Sequence, residues 1–164
     1  MSLLLGKLRG ASTSAAIALS LAALASPLAA QKTNLTISGG TITFPAPTAG
    51  DYVAGFVNSA TGVTFNIDAQ TGTSRTTTIS IRSTSASLGN GKLIGDLQWR
   101  RSDLATWNDI TLTDTQVEQR VVVRGTLNDP WSNTIFFRMK LRWTTDAPGT
   151  YSGGYELTLA QTVP

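Results

Sequence analysis

From Trp131 onward the chain alternates. Ile135, Phe137, Met139, Leu141 and Trp143 take every second position, with Phe136, Arg138, Lys140 and Arg142 between them. A period of two places one set on an apolar face and the other toward water, which predicts a half-buried β-strand. A turn follows at Asp146-Ala147-Pro148-Gly149-Thr150-Tyr151, and then a second alternating run in which Tyr155, Leu157 and Leu159 share a face. The same period recurs upstream. Leu35 and Ile37 begin a short strand, Thr41-Ile42-Thr43-Phe44 a second, and Val63, Phe65 and Ile67 a third, with Ile79 and Ile81 next. Leu93, Leu97 and Trp99 are expected on one face, with Asp96, Gln98 and Arg100 opposite. Ile110 and Leu112 read as a short partner strand. Val117, Val121 and Val123 continue the pattern, with Glu118, Arg120 and Arg124 facing away.

Turn chemistry separates these runs. Gly39-Gly40, Gly62, Gly72-Thr73-Ser74 and Asn128-Asp129-Pro130 are turn signals, and Pro45-Ala46-Pro47 breaks any ladder because proline has no N–H to donate. Asp51 to Val57 reads as a strand or an extended loop, and Ser83 to Gly91 as a loop. Gly89-Asn90-Gly91-Lys92 invites comparison with a phosphate-binding loop, but the spacing is wrong and no Ser or Thr follows the lysine. Asn-Gly is instead the favoured centre of a β-hairpin. Counting gives about eight to ten short strands at sandwich spacing. The expected fold is all-β, an immunoglobulin-like antiparallel β-sandwich, with no repeat, linker or second domain.

Residues 1–30 stand outside that fold. Lys7 and Arg9 form a basic start, Ala15 to Ala25 is apolar, and Ser26-Pro27-Leu28-Ala29-Ala30 is rich in small residues. This is the layout of a secretory signal peptide, with an apolar run shorter than a membrane span needs. Cleavage after Ala30 leaves residues 31–164 as one sandwich domain; cleavage after Ala25, or retention as an anchor, are the alternatives. The expected location is exported: periplasm, cell surface or medium. No membrane span is expected once the leader is removed.

Removing it also changes the charge. Of 13 basic residues Lys7 and Arg9 depart, leaving 11 against 10 acidic residues and a net +1. That small excess gives no reason to expect a nucleic-acid partner. The chain has no cysteine and no histidine. Burial must hold the fold without disulfides, and thiolate nucleophiles, imidazole bases and the usual zinc ligands are missing. Asp103 and Asp109 are close in sequence but lack calcium-loop spacing. No catalytic residues, metal site or cofactor are expected, and the protein is not expected to be an enzyme.

The Asp146-x-x-Gly149-x-Tyr151 corner resembles the tyrosine corner of immunoglobulin-like sandwiches, in which the ring packs over the core and its hydroxyl bonds to backbone. Pro148-Gly149-Thr150-Tyr151-Ser152-Gly153 and the alternating strand behind it also resemble the C-termini of secreted bacterial pilin-like domains, of the spore-coat-U or fimbrial-subunit type. The resemblance covers about the last twenty residues and implies association through strand edges, with Leu35 and Ile37 as the N-terminal segment. The chain departs from that pattern in having no cysteine pair and in ending Gln161-Thr162-Val163-Pro164.

Trp99-Arg100-Arg101-Ser102-Asp103-Leu104-Ala105-Thr106-Trp107 resembles the turn of Asp-box hairpins in sialidase-like propellers, here in one copy without the usual glycine. It is also similar to the Trp-bearing strand and turn of immunoglobulin-like surface domains. Trp99 and Tyr151 are assigned to the fold, with Ser102 and Asp103 satisfying turn backbone. Trp107 is either packed or a sugar-stacking platform. Arg138, Lys140 and Arg142 recur at roughly 7 Å along one strand face. They form either a stripe for an anionic glycan or a solvated face balanced by Glu118 and Glu156. The expected function is a structural or adhesive cell-surface protein, self-associating in a pilin-like manner or meeting a surface glycan, with Trp107, Trp131, Arg138, Lys140 and Arg142 as candidate contacts. A monomeric carbohydrate-binding module is the alternative, and a secreted glycan hydrolase with two dispersed carboxylates stands behind it.

Overall fold

A computed structural model of the protein describes residues 32–38, 41–70 and 72–164. The expected signal peptide and the Gly39-Gly40 turn lie outside them. The strands are β1 (Lys32–Ile37), β2 (Thr41–Phe44), β3 (Phe56–Asn58), β4 (Val63–Gln70), β5 (Arg75–Ser83), β6 (Ser87–Gly89), β7 (Lys92–Leu93), β8 (Leu97–Arg101), β9 (Asn108–Asp109), β10 (Thr115–Val122), β11 (Trp131–Lys140) and β12 (Tyr151–Thr162). They exceed the expected number because β3, β6, β7 and β9 are only two or three residues long.

All pairings are antiparallel. One sheet runs β1-β4-β11-β8-β9, with β3 also paired to β11; the other runs β10-β5-β12-β2. Their facing apolar sets form one core and make the protein a β-sandwich. β11 is the centre of the larger sheet. β8 pairs with it along Ile135–Met139, while β4 and then β3 occupy its other side. Ile135, Phe137, Met139 and Leu141 are buried, as the alternation requires. Trp143 departs from it and is 60% exposed, because the strand ends at Lys140; its ring stacks on Tyr52 at 4.7 Å.

The stretch Asp51 to Val57 is neither strand nor extended loop over most of its length. Ala49–Ala54 forms a helical turn and a half, α1, before β3. Its start is a capping box: the Thr48 side chain accepts from the Asp51 N–H, and the Asp51 carboxylate accepts from the Thr48 N–H. That carboxyl is held below its ordinary range by the Thr48 hydroxyl and N–H. Gly55 ends the helix in the left-handed region (φ 78°), and Tyr52 is the side chain it buries.

Gly89-Asn90-Gly91-Lys92 is a hairpin turn between β6 and β7, with Asn90 and Gly91 both at positive φ. Its lysine is not a surface residue. Lys92 is buried, with Nζ 2.5 Å from Asp146 and 3.0 Å from Asp96. Burial raises the Asp146 carboxyl, but the Lys92 ammonium and the Arg142 N–H outweigh it and the carboxyl stays below its ordinary range. Beside this pair is the tyrosine corner. Tyr151 is buried and its hydroxyl donates to the Ala147 carbonyl, while the Tyr52 hydroxyl donates to the Asp146 carbonyl at 3.0 Å. The hairpin packs against β12 where that strand has no side chain. A Cβ at Gly153 would lie 2.7 Å from Leu88.

Two alternations break. Leu93 does not join Leu97 and Trp99, because a 3₁₀ turn at Ile94–Asp96 intervenes and leaves Leu93 exposed. In β10 the register to β5 shifts between Gln116 and Glu118, so Val117 is an extra residue and the strand changes phase. Glu118 takes the inward place opposite Ile79, and Val122, not Val121 or Val123, is buried. The partner strand β9 is Asn108–Asp109; Ile110 just beyond it is buried and Leu112 is exposed.

Candidate functional site

The outward positions of the larger sheet carry the expected contact residues. Arg138 and Lys140 alternate with buried Phe137 and Met139, and so face away from the core on β11. Trp107 reaches the same face from the loop that joins β8 to β9. Its ring lies 4.4 Å from the Arg138 Cζ. The structure adds three residues that were not among the expected contacts. Arg100 of β8 lies 5.1 Å from the Trp107 ring and 5.3 Å from Phe136, while Arg138 is 5.0 Å from Phe56. The result is a run of alternating rings and guanidinium groups in the order Phe56, Arg138, Trp107, Arg100, Phe136. The signal was present: Arg100 and Phe136 both occupy the outward phase of their strands, directly opposite one another in register.

The stripe Arg138, Lys140, Arg142 does not act as one unit. Lys140 pairs with Asp109 at 2.8 Å and holds that carboxyl below its ordinary range, with help from Gln98. Both Arg142 guanidinium nitrogens bond to the two Asp96 oxygens, at 3.1 and 3.0 Å. The balancing carboxylates are thus Asp109 and Asp96. Glu156 pairs with Arg82 at 2.6 Å, and Glu118 turns inward. Arg138 alone in the stripe meets no carboxylate among the described residues; its Nε donates to Gln98 Oε1 at 2.8 Å. Its basicity is lowered by burial and by the Arg100 charge.

Trp131 is elsewhere. It opens β11 at the opposite end, is buried, and has the Arg120 guanidinium 5.2 Å from its ring. With Asn34, Thr36, Asn66, Asp68 and Ser132 of β1, β4 and β11 it lines a groove of about 250 Å³. At 7% exposure Trp131 is a side chain of the core.

A second polar cluster joins the two sheets at this end. Arg120 Nε is 2.5 Å from Glu118, Arg101 lies 3.8 Å from the same carboxylate, and Asn133 donates to Asp103 and Glu118. Arg101 also pairs with Asp103 and, with Asn133, lowers that carboxyl to about 2. Ser102 donates to Asn133 at 2.9 Å. Ser102 therefore binds the Asn133 side chain, while Asp103 accepts from the Arg101 and Asn133 side chains and also from its own backbone N–H. These side-chain contacts follow from the Asn133 and Arg101 groups placed within reach by β11 and β8.

Among the described residues no group of three or more His, Cys, Asp or Glu side chains gathers in metal-binding geometry, and no helix is long and apolar enough to cross a membrane. Compared with known proteins, the chain matches no family model, no curated protein sequence and no solved structure.

Proposed function

We propose that the protein is exported and serves as a structural, adhesive surface subunit whose copies join by strand addition to the smaller sheet. The flank of β12 supports this reading. β5 pairs along Tyr155–Thr162 on one side, whereas β2 covers only Tyr151–Gly154 on the other. No described strand lies beside the remaining residues on that side. In immunoglobulin-type sandwiches the strand behind the tyrosine corner has a further strand next to it. Here no strand among the described residues fills that place.

The opening is suited to an extended segment. An unpaired strand flank offers alternating N–H and C=O groups, and side-chain pockets at every second residue give the added strand its register. β1 pairs with β4 in the larger sheet and β2 with β12 in the smaller, so the first two strands belong to different sheets. Thr33 Oγ1 donates to Gln161 Oε1 at 2.6 Å at the far end of β12. Inward Leu157 and partly buried Leu159 supply the apolar floor. The leader-like residues 1–30 support export, and the reading assigns no catalysis.

Light scattering on purified residues 31–164 across a dilution series tests the assembly. Mass that grows with concentration, and that falls when Ala160→Lys charges the flank, supports it. A monomer at every concentration removes it.

A further inference from the structure

Six of the described cations are paired with carboxylates. Arg82, Lys92, Arg101, Arg120, Lys140 and Arg142 each meet a carboxylate. Arg100 and Arg138 meet none among the described residues, although they share one indole ring and sit diagonally on adjacent strands. Among the described residues they donate to the Leu104 carbonyl and the Gln98 amide oxygen, each from one nitrogen. Two like charges so placed repel, and burial adds to the cost at Arg138. The ring faces offset part of this, but a ring is a weak counter-charge beside a carboxylate.

We propose that Arg100 and Arg138 form an anion-binding site for an acidic saccharide, in which each guanidinium group takes a uronic-acid carboxylate. A planar carboxylate matches the guanidinium fork, which still has free N–H donors on both arginines. Phe136 is 37% exposed beside Arg100, and the half-buried Phe56 and Trp107 flank Arg138. Sugar rings present C–H faces to such aromatic surface while their carboxylates reach the charges. Lys140 and Arg142, committed to Asp109 and Asp96, frame the site without joining it. The site lies on the larger sheet and is independent of the open flank of β12 in the smaller one.

Calorimetric titration of the protein with a short oligogalacturonate, at low ionic strength, tests the assignment. Saturable binding is expected, with affinity falling about tenfold in Arg100→Gln and in Arg138→Gln, the loss of a charge-assisted hydrogen bond. Arg138→Lys keeps the charge but not the fork and should fall between wild type and Arg138→Gln; it also serves if the glutamine variant fails to fold. Arg142→Gln should bind as wild type does. A neutral galactan of the same length should not bind. Equal loss in Arg142→Gln would indicate diffuse charge attraction and overturn the site. Unchanged binding in both arginine variants would do the same, and equally tight binding of inorganic sulfate would overturn the saccharide.

Discussion

β11 and β10 both read as alternating strands, yet only β11 keeps its phase. In β11 the alternation holds from Ile135 to Leu141, and every second side chain reaches the core. In β10 it holds to Val117 and then inverts, carrying Glu118 and Val122 inward and Val121 outward, where it is 52% exposed. The difference lies in the neighbours. β11 is paired on both sides, to β8 and to β4 and β3, so an extra residue would disrupt two ladders at once. Among the described residues β10 is an edge strand paired only to β5, where a bulge disturbs one. Edge position lets a strand spend a residue on re-aiming a side chain. Here the re-aimed side chain is a carboxylate that meets cations from both sheets.

The largest effect separating the two strands should come from β11. Phe137→Ala removes a fully buried ring from the central strand and is expected to cost about 4 kcal/mol in denaturant unfolding. A cost near that of a surface substitution would contradict the central role of β11.

Glu118→Gln comes next. Breaking a sealed ion pair costs about 3–5 kcal/mol, but Arg120 is 27% exposed and recovers some hydration, so about 2 kcal/mol is expected. If Glu118 faced water, as regular alternation would place it, the same substitution would be nearly neutral.

The bulge itself is read by a pair of valines. Val122→Ala should lose about 2 kcal/mol, from two buried methyl groups and the space they leave, and Val121→Ala less than about 0.5 kcal/mol. Chemical denaturation of both proteins decides the phase; the reverse order means a strand without the bulge.

The smallest effect is electrostatic. Asp103 has its pKa lowered to about 2 by Arg101 and Asn133. A depressed folded value means stabilisation that is present above the unfolded value near 4 and lost as pH falls toward 2. The Asp103 side chain is 50% exposed, so screening keeps its share below about 1 kcal/mol. Asp103→Asn should flatten the loss of stability between pH 4 and pH 2 and leave the melting temperature at pH 7 only slightly lower.

Local chemistry alone determined much of this molecule. Period-two alternation specified β4, β5, β11 and β12, Asn90-Gly91 specified a hairpin, and the Asp146 to Tyr151 corner specified where the last strand begins. These features are legible because side-chain period and turn conformation depend on residues within a few positions of each other. The helix Ala49–Ala54 was also written locally, in Thr48 and Asp51, but its short apolar pattern resembles that of a strand. What required the tertiary structure was every feature set by a distant partner. The phase of β10 depends on β5 and on the cations that receive Glu118; the burial of Lys92 depends on Asp146, far along the chain. The arginine site has the same origin. Arg100 and Arg138 stand 38 positions apart in the numbering, and only the pairing of β8 with β11 sets both against the ring of Trp107. Charges act over ångströms of space, and a sequence records only distance along the chain.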